Sequence, residues 1–142
     1  MPNNVMKFLD YKVITAKFSL NEKFVFPEDG VVEISPEFNY EIEKISKDET
    51  NVYLCAEIKS ALNNSMPFEI ETKIVGKFYV KDWEKEENVV LIKKNAIAIL
   101  FPYLRAIIST ITTSANIPPY TLPIMNINAL FEEQEKRKTK NK

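Results

Sequence analysis

Histidine is absent from this chain of 142 residues, and cysteine occurs once, at Cys55. Without imidazole, the usual acid–base designs, Ser-His and Cys-His nucleophile pairs and the common zinc sites lack their working part. A single thiol cannot close an intramolecular disulfide, and the N-terminal MPNNVMKFLD has no apolar run of the secretory kind. The expected location is therefore the cytoplasm. Glycine is nearly as scarce: Gly30 and Gly76 stand too far apart for a phosphate-cradling loop. A net charge of −1 supplies no field for nucleic acid, and the one dense basic run, 136–142, reads as a solvated tail. No catalytic residue, metal, cofactor or nucleic-acid partner is expected, so the chain is not read as an enzyme. Its length suits one domain with a substantial core.

What is present falls into two regions. From Lys7 to Lys81 apolar and polar residues alternate with a period of two, the mark of strands with one wet and one dry face. The alternation is clearest from Phe68 to Val80, where Glu69, Glu71, Lys73 and Lys77 share the polar face. It recurs at Val52, Leu54, Ala56 and Ile58, and at Phe38, Tyr40 and Ile42; a first strand, Phe8 to Leu20, is less regular. Turn chemistry separates them at Pro27–Gly30, Ser46–Glu49 and Asn63–Ser65. Four strands in series predict an antiparallel, meander-like sheet over 7–82 with one apolar face to cover.

The cover comes next. Between Val89 and Phe131 there is no acid, and Lys93, Lys94 and Arg105 are the only charges. A helix over 89–114 carries Ile92, Ala96, Ile99, Leu100, Tyr103, Ile107 and Ile111 at helical spacing, with Ile97, Leu104 and Ile108 on other faces. A helix apolar nearly all round must be buried on two sides, and the sheet covers one; the second is expected to meet another subunit. Membrane insertion is not expected, because Pro102, Arg105 and the Ser/Thr run at 109–114 cut the stretch short of the ~20 apolar residues a span needs. Pro102 should also kink or break the helix. A proline-rich linker, 115–125, and a second helix, 126–138, capped by Asn126 or Asn128, complete the single domain between a short N-terminal extension, 1–6, and the basic tail, 139–142. Cys55, on the polar face of its strand, reads as an incidental thiol; Trp83 reads as a staple of its loop against the sheet end.

The segment Ala98-Ile99-Leu100-Phe101-Pro102-Tyr103-Leu104-Arg105, followed in register by Ile117-Pro118-Pro119-Tyr120 and by Asn126-Ile127-Asn128-Ala129-Leu130-Phe131, resembles the C-terminal half of the SecB protein-export chaperones. The resemblance implies an α+β subunit assembling as a dimer of dimers, a homotetramer with long helices between two eight-stranded sheets. It implies an ATP-independent holdase that keeps unfolded preproteins export-competent in apolar grooves. The matching groove positions are Phe24, Val25 and Phe26 after the first strand, Ile117, Pro119, Tyr120, Leu122, Ile124 and Met125 in the linker, and Leu130 and Phe131 in the last helix. Subunit contacts are expected at Ile97, Leu100, Phe101, Leu104, Ile108 and Ile111.

Delivery to the SecA motor uses acidic groups on the outer sheet face in this family. Glu71 matches, whereas Lys17 and Asn21 stand where the first strand would supply the others, leaving the docking surface incomplete. Two alternatives stand beside the export reading: a SecB-like chaperone dedicated to one client, such as the antitoxin of a toxin–antitoxin module, and a carrier of a small apolar ligand.

Overall fold

The computed structural model describes residues 6–25, 27–30, 32–59 and 66–140. Its elements run β1 (Lys7–Leu20), β2 (Glu37–Lys44), β3 (Glu49–Ile58), β4 (Phe68–Tyr79), α1 (Glu86–Ser114) and α2 (Ile127–Lys140). This is the expected α+β order, a sheet followed by helices.

The meander holds for three strands: β2 pairs with β3 and β3 with β4, all antiparallel. The expected turn at 46–49 closes through the N–H groups of Ile45 and Ser46, both donated to Glu49 O at 3.1 Å. The turn expected at Asn63–Ser65 lies outside the described residues. β1 departs from the meander and pairs with β4, giving the order β1-β4-β3-β2, a Greek key traced from its far end. The reason lies in the connection 21–36. It contains its own turn, Gly30 N–H to Pro27 O at 2.9 Å with Gly30 at φ +70°, and is long enough to cross the sheet end instead of folding back as a hairpin.

β1 reads irregularly because it carries two bulges, between Phe8 and Asp10 and between Val13 and Thr15. Each inserts one residue and resets the alternation, so Phe8, Tyr11 and Phe18 can all pack on the core. The inserted residues, Leu9 and Ile14, stay about half exposed on an edge strand, at 49% and 53%.

The inner face of the sheet is built by Val52, Leu54, Ala56 and Ile58 of β3 and by Phe68, Ile70, Ile74 and Phe78 of β4, all buried. Helix α1 lies across it with Ile92, Ala96, Ile97, Leu100, Leu104 and Ile108 fully buried. Gly76 makes the close approach possible, since a Cβ there would stand 2.7 Å from Leu100 Cδ2 and from Phe78 Cε2. Trp83 is 7% exposed and donates Nε1–H to Ser46 O at 2.8 Å, tying the strand-to-helix link onto the β2–β3 turn as expected.

The length argument against a membrane span is overturned: α1 has 29 residues, and an 18-residue stretch of it averages a hydropathy of 1.6. Among the described residues it is the one helix long and apolar enough to cross a bilayer. Pro102 does not break it. Pro102 and Ala98 both sit on its exposed face, where water can take the carbonyl that the proline leaves unpaired. The helix also begins earlier than expected, at Glu86, whose acid beside Glu87 suits the positive end of the dipole. At the far end, α2 is capped by Asn126, whose Oδ1 accepts the Ala129 N–H at 3.1 Å, and it continues to Lys140, into the segment expected to be a free tail.

Candidate functional site

The linker between the helices is extended because its sequence leaves it no other choice. Helix α1 ends in a Schellman motif: Asn116 takes the left-handed conformation at φ +62°, its N–H reaches Thr113 O at 3.0 Å, and the Ile117 N–H reaches Thr112 O at 3.5 Å. Pro118, Pro119 and Pro123 then withhold ladder donors. The chain runs back along α1, held by side chains of that helix. The Tyr120 N–H donates to Thr112 Oγ1 at 2.9 Å, Ser109 Oγ donates to Tyr120 O at 3.4 Å, and Arg105 Nε donates to Leu122 O at 2.7 Å. Three of the polar residues that interrupt the apolar helix, Arg105, Ser109 and Thr112, are thus the linker's hydrogen-bond partners.

Opposite the linker stands the start of the β1–β2 connection. Asn21 fixes it to the foot of β4 twice, its backbone N–H to Pro67 O and its Nδ2 to Met66 O, both at 2.9 Å. Between the two walls lies an open groove of about 580 Å³. Leu20, Phe24, Val32 and Ile34 form one side, Ile117, Pro118, Pro119 and Tyr120 the other, and Pro67 and Phe68 the floor. The Tyr120 ring packs on Phe68 with centroids 6.1 Å apart, and burial pushes its phenol above the ordinary value. Among the described lining residues Glu22 carries the one carboxyl group, so the groove offers apolar surface with a polar rim at Asn21, Glu22 and Asn116.

The expected groove residues divide. Phe24, Ile117, Pro119 and Tyr120 are brought together as walls of this groove. Val25 and Ile124 are exposed, at 84% and 87%, without lining it; Phe26 lies outside the described residues. Met125 and Leu130 are half-buried against the core. Leu122 and Phe131 do not line it: they are 0% and 1% exposed and pack within the subunit's own core, the Phe131 ring tilted by 57° against that of Tyr40 at 4.6 Å. Leu122 turns inward because the Arg105 bond pins its carbonyl to α1.

The residues expected at subunit contacts face the subunit's own sheet: Ile97, Leu100, Phe101, Leu104 and Ile108 are 8% exposed or less. Ile111 is half-buried. What α1 leaves open is a face of small residues, Asn95, Ala98, Pro102, Ala106 and Thr110, with Val90 and Tyr103 also exposed. Sequence reasoning missed Leu20, Val32, Ile34 and Phe68 in the groove. The signal for Phe68 was its place at the foot of a strand beside Pro67, where the crossing connection must pass.

Glu71 lies on the outer sheet face, exposed, with Lys17 Nζ 3.7 Å from it. Glu37, Glu57 and Glu71 are directly opposite one another across β2, β3 and β4, and Lys17 ends the row. Like charges so placed repel, and the Lys59–Glu57 contact at 3.0 Å and the Lys17–Glu71 contact offset this. The Cys55 thiol, half-buried on the same face, is pushed up by desolvation, the opposite of an activated nucleophile. Among the described residues, no three His, Cys, Asp or Glu side chains are grouped to hold a metal ion.

Comparison with known proteins gives a consistent result. The family model described as preprotein translocase subunit SecB matches residues 18–138. An uncharacterised protein of Methanocaldococcus jannaschii is 34% identical over 99% of this chain and 91% of its own. The protein-export protein SecB of Bartonella quintana is 29% identical over 81% of this chain and 73% of its own. Among solved structures, the Mycobacterium tuberculosis SecB-like chaperone Rv1957, in complex with a ChAD peptide from the HigA1 antitoxin, superposes with a TM-score of 0.66. It is 16% identical, over 84% of this chain and 87% of that one, a likeness of fold.

Proposed function

Because the chain belongs to the SecB family, we propose that it is an ATP-independent holdase of the cytoplasm that keeps unfolded preproteins from folding or aggregating by binding their apolar segments. The observation that carries this reading is the groove between the β1–β2 connection and the linker. Its walls are apolar, it is open to solvent, and the two segments that form it are held by main-chain anchors, Asn21 on one side and Thr112 on the other.

Fully burying one large exposed apolar side chain is worth ~1.5–3 kcal/mol, and Phe24, Ile117 and Tyr120 are already half-buried, so the three together fall short of the ~8 kcal/mol of micromolar binding even before ordering costs are subtracted. One groove therefore binds weakly. Sustained holding comes from several grooves on one assembly engaging one long client.

That assembly is a homotetramer in this reading. The unpaired edge of β1 shows Leu9, Val13, Ile14 and Leu20 at 46–53% exposure, and α1 has its small-residue face. A long apolar edge strand is a pairing surface, and small residues let helices approach closely. Two β1 edges joining and α1 faces stacking would cover both. Engagement of SecA at Glu71 would have to displace Lys17, whose Nζ stands 3.7 Å from the acid. A dedicated client, such as an antitoxin segment, uses the same groove without needing that surface. The antitoxin peptide bound by the SecB-like chaperone of similar fold favours keeping this second reading.

The test is refolding of a slow-folding precursor with stoichiometric protein. Wild type should suppress it, and Phe24→Ser and Tyr120→Ser should each weaken client binding ~10-fold or more, the value of one lost anchor. Unchanged affinity in the double variant would place the client site elsewhere. Co-purification of a bound acyl chain, released by extraction and seen by mass analysis, would favour the carrier alternative.

A further inference from the structure

We infer that Thr112 is a positioning residue for client binding: through its carbonyl and its hydroxyl it holds both ends of the groove wall 117–120. The inference rests on the holdase reading above. Within Ile117-Pro118-Pro119-Tyr120 only the first and last residues have a backbone N–H, because the two prolines have none. The Ile117 N–H goes to Thr112 O at 3.5 Å and the Tyr120 N–H to Thr112 Oγ1 at 2.9 Å. One residue therefore satisfies every main-chain donor of the wall.

The side chain is placed to accept this bond. Thr112 is fully buried, and its hydroxyl hydrogen is directed back to Ile108 O or Ser109 O, each at 3.1 Å. With its proton used inside the helix, the oxygen presents a lone pair to Tyr120, so its direction is set before any client arrives. The Tyr120 ring, on the same residue, stands on Phe68 at the groove floor. A wall of two prolines is stiff in itself; pinned at both ends to one helical turn, it cannot retreat toward α1 or swing outward. Pre-organisation of this kind lowers the ordering cost of binding, which matters most for a groove with few anchors.

The experiment uses the full chain and, as probe client, a reduced and carboxymethylated globular protein. Thr112→Val keeps shape and volume but cannot accept the Tyr120 N–H; it should weaken probe binding ~10-fold, the order of one net hydrogen bond. Thr112→Ser should restore binding to within about twofold, since it keeps the oxygen. In the valine variant the Tyr120 amide should exchange its hydrogen faster while amides of β3 and β4 keep their protection. A merely structural role would move all of these amides and the thermal midpoint together. Should the valine variant fail to fold, Thr112→Ala gives the same readouts with room for water at the amide.

Tyr120→Ser separates the two ways of failing. If it leaves probe affinity unchanged, the groove reading is wrong and this inference goes with it. If it weakens binding but Thr112→Val does not, or if serine fails to rescue, Thr112 is not the positioning residue and the groove stands.

Discussion

Replacing Gly76 by alanine tests whether α1 is seated on the sheet as described. The new methyl would stand 2.7 Å from Leu100 Cδ2 and Phe78 Cε2 and 3.2 Å from Leu100 Cδ1, against the ~3.5–4.0 Å at which carbon pairs are comfortable. Leu100 and Phe78 are both fully buried, so neither has open space to move into. Alanine for glycine inside a strand ordinarily stabilises by roughly 0.5–1 kcal/mol through backbone entropy. Overpacking a closed core costs ~1–3 kcal/mol, so the net expectation is a loss of about 1–2 kcal/mol. Leu100→Ala alone should cost ~2–5 kcal/mol by leaving a cavity. In the double variant the Gly76→Ala methyl occupies part of that cavity, and the combined loss should fall short of the sum by about 1 kcal/mol, within the usual range for contacting residues. Urea unfolding at one fixed protein concentration, followed through Trp83, the single tryptophan, gives the midpoints. A stabilised Gly76→Ala, or strict additivity in the cycle, would refute the packing argument.

Three further outcomes are expected of the same fold. Asn116→Ala forces an ordinary residue into the left-handed region at φ +62° and should lower stability by ~1–2 kcal/mol, while Asn116→Gly should be neutral or better; the urea midpoint checks both. Beside the buried Ile127 and Phe131, α2 is tied down by a polar cluster of Lys93, Tyr40 and Glu135, with Lys93 Nζ 2.5 Å from the carboxylate. The hydrogen bond from Lys93, then that from Tyr40, holds the Glu135 carboxyl below its ordinary value, so this contribution is full above the ordinary carboxylate range and fades as pH falls through the lowered value. Lys93 lies above its ordinary value, its desolvation outweighed by its bonds to Glu135 and Tyr40. Tyr40 is raised by burial and by Glu135. Both of these contributions fade only as pH rises past the ordinary lysine and tyrosine range. Intrinsic-rate-corrected hydrogen exchange in α2 should therefore be flat from about pH 5 to pH 9, and a drift between pH 6 and 8 would contradict the assignment. Finally, Ala98→Arg with Ala106→Arg should lower the mass seen by light scattering, because both lie on the open face of α1; an unchanged tetramer, or a wild-type monomer, would remove that face from the assembly.

How much of this was legible in the residues depends on how local each determinant is. The alternation in β3 and β4 reports burial of one face against one neighbour, so period two was enough. The Asn126 cap and the turn at 46–49 are satisfied within a few residues of themselves; the turn stands where expected, and the cap is the first of the two asparagines the sequence offered. The partner of β1 was not local. Two bulges scrambled its alternation, and nothing in residues 7–20 distinguishes an edge beside β4 from an edge beside β2. The candidate site divides along the same line. Proline content exposed the linker as a segment kept out of helix and sheet, but which of its side chains face the groove depends on where α1 places Arg105, Ser109 and Thr112. From composition those three read as interruptions of a greasy helix. In the fold they hold the extended wall in place: each supplies a polar atom to a chain whose prolines cannot pair with a strand. Leu122 and Tyr120 are two residues apart, equally apolar in pattern, and one is core while the other lines the groove. The difference lies in which main-chain atoms α1 holds, and no hydrophobic period can report that.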